Sequence, residues 1–167
     1  VSGWQRRKPP KGRERHPVTY VSYTDAEAYA RWAKKRLPTA EEWEKAARFQ
    51  KGGVWPWGDS FPPPGSDEFL ANSLEYWQRY KNRVPGLMPV GSFPKGRGEL
   101  DLYDMAGNVW EWTSSKVGKK QDGKVTEMVV LKGGSFMTTK EALRCSNRLL
   151  DSPMLAHPDT GFRCVRD

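Results

Sequence analysis

The sequence predicts one α+β domain that is rich in loops. A chain of 167 residues suits a single domain that is large enough to bury a hydrophobic core. Two segments of the first half carry helix-start signals, and short runs with high β propensity follow in the second half. The 13 prolines and 16 glycines favour short elements joined by loops over a helical bundle.

Two capping boxes predict two short helices. In residues 24–27, Thr-Asp-Ala-Glu places a hydroxyl and a carboxylate where each can bond the first free backbone amides of a helix. Residues 39–42, Thr-Ala-Glu-Glu, repeat the signal after Leu37 and Pro38. Helical spacing then predicts the buried residues: Ala26, Tyr29, Ala30 and Ala33 on the first helix, and Trp43, Ala46 and Ala47 on the second.

The strands are predicted in the second half of the chain, around residues 109–113, 129–135 and 161–166. Residues 51–98 are predicted to be mostly loop, because a stretch such as WPWGDSFPPPG cannot form a regular element. The lysine- and glycine-rich residues 116–124 are predicted to be an exposed loop or the tip of a hairpin.

The positive charge is concentrated in a basic N-terminal arm, residues 1–15. The net charge is +8, and the arm holds six cations against one anion: Arg6, Arg7, Lys8, Lys11, Arg13 and Arg15 against Glu14. Such an arm can contact phosphates or be a solvated terminus. Nucleic-acid binding is not expected, because no zinc finger or aromatic platform accompanies the arm. No apolar run approaches the length that spans a membrane.

The stretch YDMAGNVWEWTSS, residues 103–115, places two acids close to a glycine turn. In an extended strand Glu111 points away from its two neighbouring indoles, Trp110 and Trp112. Glu111 could then converge with Asp104 across the Gly107-Asn108 turn. Two carboxylates with turn carbonyls form an oxygen-only cage that suits calcium. The alternative is that both acids cap turns and backbone amides.

Seven pieces of the sequence occur in the order of one known family. They are HPVTYVSYTDAEAYARWAKKRLPTAEEWEKAAR, WPWGD, AN at 71–72, PVGSFP, LYDMAGNVWEWTSS, LKGGSF and GFRCVRD, and they lie within residues 16–167. The chain thus resembles the formylglycine-generating enzyme (sulfatase-modifying factor) family, whose fold is a variant of the C-type lectin fold. The resemblance implies a family domain over residues 16–167, without the part that usually precedes the segment beginning at His16.

The resemblance also implies a structural calcium ion. Family members commonly bind calcium through the segment matching residues 104–111. Carried over, the ligands are the side chains of Asp104 and Glu111 and the carbonyls of Gly107 and Val109. A second family site begins at the asparagine matching Asn72, but the segment with its later ligands is much shorter here.

Copper is not expected, because the catalytic thiols are missing. Active aerobic members carry two cysteines, spaced C-x4-C, that bind copper(I) and oxidise a substrate cysteine to formylglycine. The corresponding residues 137–143 read MTTKEAL, and neither a hydroxyl nor a hydrocarbon replaces a thiolate at soft copper(I). Residues assigned to a vestigial cleft are Trp110, Ser135, Thr138 and Arg148.

Two cysteines remain, Cys145 and Cys164. In vertebrate members the cysteines at these places bond to cysteines on the two helices, and the matching positions here are Ala30 and Ala47. We therefore expect either two buried free thiols or a direct Cys145–Cys164 bridge. The arginines of this region, Arg144, Arg148 and Arg163, are expected either to clamp an anionic ligand or to pair with acids such as Asp104 or Asp159.

These observations predict a non-catalytic binding or scaffold module that forms part of a larger protein. Its ligand would be a protein or peptide, which could include other domains of the same polypeptide. The alternatives are an oxidase of the sulfatase-maturation type, with thiols supplied in an unusual way, and a variable ligand-display protein with a C-type lectin fold. The fold does not decide among them, because function depends on the site residues.

Overall fold

The structure, a computed structural model, describes residues 8–50, 52–63, 66–79, 83–121 and 124–167. The helices within these residues are α1 Tyr23–Trp32, α2 Ala40–Arg48 and α3 Leu74–Gln78. The strands are β1 Trp110–Gln121, β2 Lys124–Lys132, β3 Leu149–Asp151 and β4 Thr160–Phe162. None of these helices has the length and apolar character needed to cross a bilayer.

Capping boxes start both of the predicted helices, but the first box lies two residues earlier than predicted. Ser22, not Thr24, is the N-cap of α1: the Asp25 amide donates to Ser22 Oγ over 3.2 Å. The Ser22 amide donates to the Asp25 carboxylate over 3.0 Å. Ser22 and Asp25 have the same spacing as the predicted pair, so the pattern alone could not choose between them. The predicted box from Thr39 to Glu42 is confirmed.

The buried faces of the helices agree with the prediction in part. Trp43 and Ala47 of α2 are buried as predicted, whereas Ala33 and Ala46 are only half-buried. Ala26 and Ala30 of α1 are buried, whereas Tyr29 is 51% exposed, so its predicted burial is wrong. Its ring packs against Phe162 and Trp32 at the surface, with centroid distances of 5.5 Å to each. An aromatic ring can cover an apolar neighbour while keeping its outer face in water.

The four strands form one mixed sheet in the order β3-β2-β1-β4. β2 is antiparallel to β1 and to β3, whereas β4 is parallel to β1. Residues 116–124 were predicted to be an exposed loop or a hairpin tip. The loop is wrong where the structure describes it, since residues 116–121 and 124 belong to β1 and β2. The hairpin is confirmed, because these two strands pair in antiparallel fashion as far as Gln121 and Lys124. Residues 122 and 123 lie outside the described residues.

Two other predicted strands extend further toward the C-terminus than the observed ones, although β2 also begins five residues earlier than predicted. β2 ends at Lys132, because Gly133 and Gly134 follow with φ of 97° and 74° and turn the chain out of the sheet. β4 ends at Phe162, and Val165 then makes an isolated antiparallel bridge to Arg36 beyond α1.

The tryptophans anchor three clusters of the core. Trp112 lies between α1 and the sheet with no exposed surface, and its indole N–H donates to the Val21 carbonyl over 3.0 Å. Trp43 of α2 packs with Met105, and Trp55 packs with Leu143. The turn at residues 103–109 is thereby held between the sheet and the loops of the middle of the chain, which positions Asp104 of the turn near Glu111 of β1.

Candidate calcium turn and vestigial cleft

Glu111 is a buried carboxylate that accepts three hydrogen bonds from two neighbouring side chains. It lies in β1 with 5% of its surface exposed. Arg163 makes a bidentate ion pair with it, through Nε to Oε2 at 2.6 Å and Nη2 to Oε1 at 2.7 Å. The Trp43 indole N–H also donates to Oε2, over 2.6 Å. Glu111 therefore bonds an indole from α2 while pointing away from those of β1.

Arg163 connects this pair to the chain around Asp104. Its Nη2 donates to the backbone carbonyls of Tyr103 and Asp104, over 3.1 and 3.3 Å. The prediction that Arg163 pairs with an acid is confirmed, although its partner is Glu111. Residue spacing gave no signal for this pair, because the two residues are 52 positions apart and meet only through the parallel pairing of β1 with β4.

Asp104 is the second acid of the turn. It adopts a left-handed backbone conformation, φ 57°, and its Oδ2 accepts the Gly91 N–H over 2.8 Å. Burial raises the pKa of Asp104, and the negative charge of Glu111 adds to that rise. The Gly91 N–H and the Arg163 charge oppose it without cancelling it. The ionised form of Asp104 is therefore less favourable than that of an ordinary aspartate.

The structure brings the two predicted carboxylates together. Asp104 and Glu111 line one cavity of about 400 Å³, whose wall also contains Arg163. The Gly107 carbonyl, a third predicted ligand, accepts the Val109 N–H over 2.9 Å in the adjoining turn. Val109 itself is buried beside Glu111.

The donor set is compatible with a calcium ion. A carboxylate offers about four lone-pair sites and a carbonyl two. Hydrogen bonds already occupy three of these lone-pair sites on Glu111. They occupy one site on Asp104 and one on the Gly107 carbonyl. One guanidinium against two carboxylates leaves a net negative charge, which favours a cation. In the described part of the chain no three Asp, Glu, His or Cys side chains converge on a metal position, so carbonyls and water would have to complete the shell. Calcium here stays a prediction.

Asn72, where the second family calcium site would begin, makes structural hydrogen bonds within the protein. It is 1% exposed, and its Oδ1 accepts the Trp77 indole N–H over 2.7 Å. Its Nδ2 donates to the Gly86 carbonyl and to Asn108 Oδ1, over 2.9 and 3.0 Å. These bonds tie α3 and the middle loops to the 103–109 turn.

Three of the four residues assigned to the vestigial cleft lie together. Ser135 is fully buried, and its hydroxyl donates to the Asp159 carboxylate over 2.7 Å. Thr138 Oγ1 accepts the Ser135 N–H over 2.9 Å and donates to the Ser135 carbonyl over 3.0 Å. The backbone N–H of Trp110 donates to the backbone carbonyl of Asp159 over 2.8 Å. Asp159 thus links Trp110 to Ser135, a role that no sequence signal indicated.

Arg148, the fourth of these residues, lies apart. It is exposed just before β3, and within the described residues no hydrogen bond joins it to Trp110, Ser135 or Thr138.

The loop that matches the copper-binding loop of active members carries a hydroxyl and a hydrocarbon side chain in place of thiols. Thr138 and Leu143 have the C-x4-C spacing. A Cβ added at Gly134 would lie 3.1 Å from Thr138 Oγ1 and 2.7 Å from Leu143 Cδ1, so the two side chains approach one point. Leu143 is fully buried against Trp55 and neighbouring residues. Leu143 is thus part of the core and Thr138 is half-buried, so neither position offers a soft ligand, while Met137 and residues 139–141 are exposed.

Both cysteines are free thiols, and they do not bridge each other. Cys145 is buried in the cluster that contains Ala47, whereas Cys164 is half-buried against the cluster that contains Ala30. The expectation of buried free thiols is thus confirmed for Cys145. Cys164 is also a free thiol, but it is only partly buried. Burial raises the pKa of the Cys145 thiol to about 12, which keeps it protonated and unreactive.

Comparison with known proteins gives the relationship of the whole chain. Residues 2–167 match the "Sulfatase-modifying factor enzyme 1-like domain" family. The chain is 38% identical over 162 residues to the inactive C-alpha-formylglycine-generating enzyme 2 of Bos taurus, covering 89% of this chain and 50% of that protein. It is also 38% identical over 178 residues to the formylglycine-generating enzyme of Mycobacterium tuberculosis, covering 91% of this chain and 58% of that protein.

The solved structure of PvdO from Pseudomonas aeruginosa superposes with a TM-score of 0.72 at 25% identity, over 96% of this chain and 64% of that one. Proteins named as active and as inactive enzymes match this chain at the same identity, so overall similarity does not decide activity. The chain spans about half the length of the curated relatives that it matches. With its C-type-lectin-like fold and without the paired catalytic cysteines, the chain belongs to the formylglycine-generating enzyme (sulfatase-modifying factor) family.

Proposed function

We propose that this domain is a non-catalytic binding module whose ligand is a protein or a peptide. The observation that carries the proposal is the loop at Thr138 and Leu143, where the spacing of a thiol pair is kept but the thiols are not. Copper(I) prefers soft thiolate ligands, and the two cysteines of the chain lie outside this loop. The similarity to a relative named inactive supports the proposal.

The rival function, oxidation of a substrate cysteine, needs a soft metal site or another oxidant site. Cys145 cannot supply it, because its thiol is buried, protonated and bounded by Trp43 and Met105. Cys164 packs in a different cluster from Cys145, against α1 and β1. The two thiols are therefore in different parts of the core, and neither lies in the loop between Thr138 and Leu143.

Copper(I) titration tests this proposal. We expect the wild-type protein to compete poorly with a chromophoric copper(I) chelator under reducing conditions. The double variant Thr138→Cys/Leu143→Cys is expected to gain one tight site, because the two side chains already converge near Gly134. A tight stoichiometric site in the wild type that survives Cys164→Ala would contradict the proposal. The variant Thr138→Ser/Leu143→Val controls for disturbance of the loop.

We also propose that the turn containing Asp104 and Glu111 binds a structural calcium ion. The net negative charge of the cavity and the incompletely stabilised Asp104 support this assignment. The side chains of Asp104 and Glu111 and the carbonyls of Gly107 and Val109 would hold the ion, and its charge would offset the second carboxylate.

Adding calcium at a hundredfold excess over its Kd should stabilise the native state by about 2.7 kcal/mol, because only the folded turn binds it. The measurement is the thermal midpoint in calcium and in chelator. Asp104→Ala should remove the difference, whereas Asp101→Ala, a change in an exposed acid of the same cavity, should keep it. Equal midpoints for calcium-loaded and chelated wild type would exclude a stabilising site.

A further inference from the structure

A second cavity lies at the end of the basic arm, and it shares Pro17 with the wall of the cavity at the Asp104 turn. It measures about 560 Å³, within the range of roughly 300–1,000 Å³ that is typical of small-ligand pockets. Its walls combine apolar residues with a few polar groups. The apolar walls include Pro9, Pro17 and Leu87, and the residues with polar groups are Arg13, Glu14, His16, Thr19 and Tyr20.

Backbone hydrogen bonds hold the walls of this cavity in place. The Val90 N–H donates to the Arg15 carbonyl over 2.8 Å, and the His16 N–H donates to the Arg13 carbonyl over 3.0 Å. On the other side, the Tyr20 N–H donates to the His157 carbonyl over 3.0 Å. Tyr20 is held at φ 55°, a left-handed conformation that is unfavourable for a non-glycine residue. The pocket is therefore formed before any ligand arrives.

His16 contributes a polar atom without a partner. Its Nδ1 is buried, and it is the single buried side-chain nitrogen or oxygen in the described part of the chain that makes no hydrogen bond. Leaving such a group unpaired is unfavourable, and a ligand that supplied its hydrogen-bond partner would remove that cost. Burial and the nearby Arg13 charge lower the pKa of His16, so the ring is neutral near pH 7 and can donate or accept through its tautomers.

The segment that carries the cavity is cationic. Over residues 8–16 there are four cations, Lys8, Lys11, Arg13 and Arg15, against the single anion Glu14, and of these charged residues Arg13 and Glu14 line the cavity. Arg13 lies in the wall, and its guanidinium can make a bidentate pair with a carboxylate. The adjacent proline and leucine surface suits an apolar group attached to that carboxylate.

We infer that this cavity binds a carboxylate attached to an apolar group, with Arg13 and His16 contacting the carboxylate and Leu87 and the prolines contacting the apolar part. This inference rests on the proposed binding function and names its ligand chemistry. Such a ligand is either the C-terminus of a polypeptide that ends in an apolar residue or a small apolar carboxylic acid. A backbone and side-chain pocket for a terminal carboxylate is a known mode of peptide recognition.

The test is a binding titration with three probes. Its readouts are the NMR signals of the His16 ring and the heat of binding measured by calorimetry. N-acetyl-leucine should bind saturably and shift the His16 ring signals, while N-acetyl-leucinamide, which lacks the charge, should bind at least about tenfold more weakly. A pentapeptide ending in leucine should bind more tightly than N-acetyl-leucine if the ligand is a polypeptide. Equal affinity of the two would assign the site to a small acid.

Variants locate the site. Arg13→Gln should lower the affinity for N-acetyl-leucine by about tenfold or more. Arg15 is a cation of the same arm that lies outside the cavity wall, and Arg15→Gln should change this affinity by less than about twofold. His16→Ala should weaken binding without lowering the thermal midpoint, since Nδ1 makes no bond in the free protein. Equal binding of acid and amide, or equal losses in the two arginine variants, would overturn the inference. Either result would leave the copper titration, and with it the proposed function, untouched.

Discussion

Replacing Glu111 by alanine is expected to lower the free energy of unfolding by about 3–5 kcal/mol, the usual cost of removing one partner of a buried ion pair. The variant would leave the Arg163 guanidinium without its carboxylate and the Trp43 indole N–H without its acceptor. Trp43 is 1% exposed, and the Arg163 side chain is 25% exposed, so the indole N–H is the donor that water reaches least. The cost therefore comes mainly from the groups left behind.

Urea denaturation in the presence of chelator measures this loss without any contribution from calcium. Glu127→Ala is the matched control, because Glu127 pairs with Lys116 at 3.0 Å in the same sheet, with side chains 56% and 41% exposed. Exposed pairs contribute only about 0.2–1 kcal/mol, so the control should barely move the midpoint. Similar losses in the two variants would show that the pair of Glu111 with Arg163 does not hold the turn together.

Gly107→Ala is expected to destabilise the domain by more than about 3 kcal/mol, because two separate effects act at this position. Gly107 has φ 80°, which side-chain-bearing residues adopt at a cost. A Cβ here would also lie 2.3 Å from the Asn72 carbonyl oxygen, a backbone atom that accepts the Asn108 N–H over 2.9 Å. Relief of the contact would break the link between the turn and the middle loops.

Gly86→Ala provides the comparison for that variant. A Cβ at Gly86 would meet nothing closer than the Val84 carbonyl oxygen at 4.0 Å, so this change should alter stability by less than about 1 kcal/mol. Thermal and urea unfolding of both variants measure the difference. Wild-type stability in Gly107→Ala would mean that the turn can move away from Asn72, against the packing seen here.

The local features of this fold could be predicted from sequence, and the long-range ones could not. The second capping box, at Thr39 and Glu42, was placed correctly because all of its atoms come from four consecutive residues. The convergence of Asp104 and Glu111 was also predictable, since one glycine turn connects them. By contrast, Arg163 reaches Glu111 only because β4 pairs in parallel with β1, a pairing that no local pattern encodes.

The candidate cleft shows the same division. Sequence patterns located Ser135 and Thr138 after the double glycine, but the Asp159 carboxylate that accepts from Ser135 comes from 24 residues away. The burial of Leu143 was likewise not predictable, because it depends on Trp55 and Ala71 from the middle loops. Periodicity identifies which face of an element is apolar, whereas tertiary packing decides which partner covers it.

The central claim, that this family member has lost its oxidase chemistry, is tested most directly by a turnover assay. The purified protein would be supplied with copper(I), oxygen, reductant and a cysteine-containing sulfatase peptide, and aldehyde formation followed by mass spectrometry. The Mycobacterium tuberculosis formylglycine-generating enzyme, 38% identical to this chain, serves as the positive control. The loop at Thr138 and Leu143 predicts no aldehyde above the level of a protein-free reaction. Repeated turnover by the wild-type protein would contradict the account.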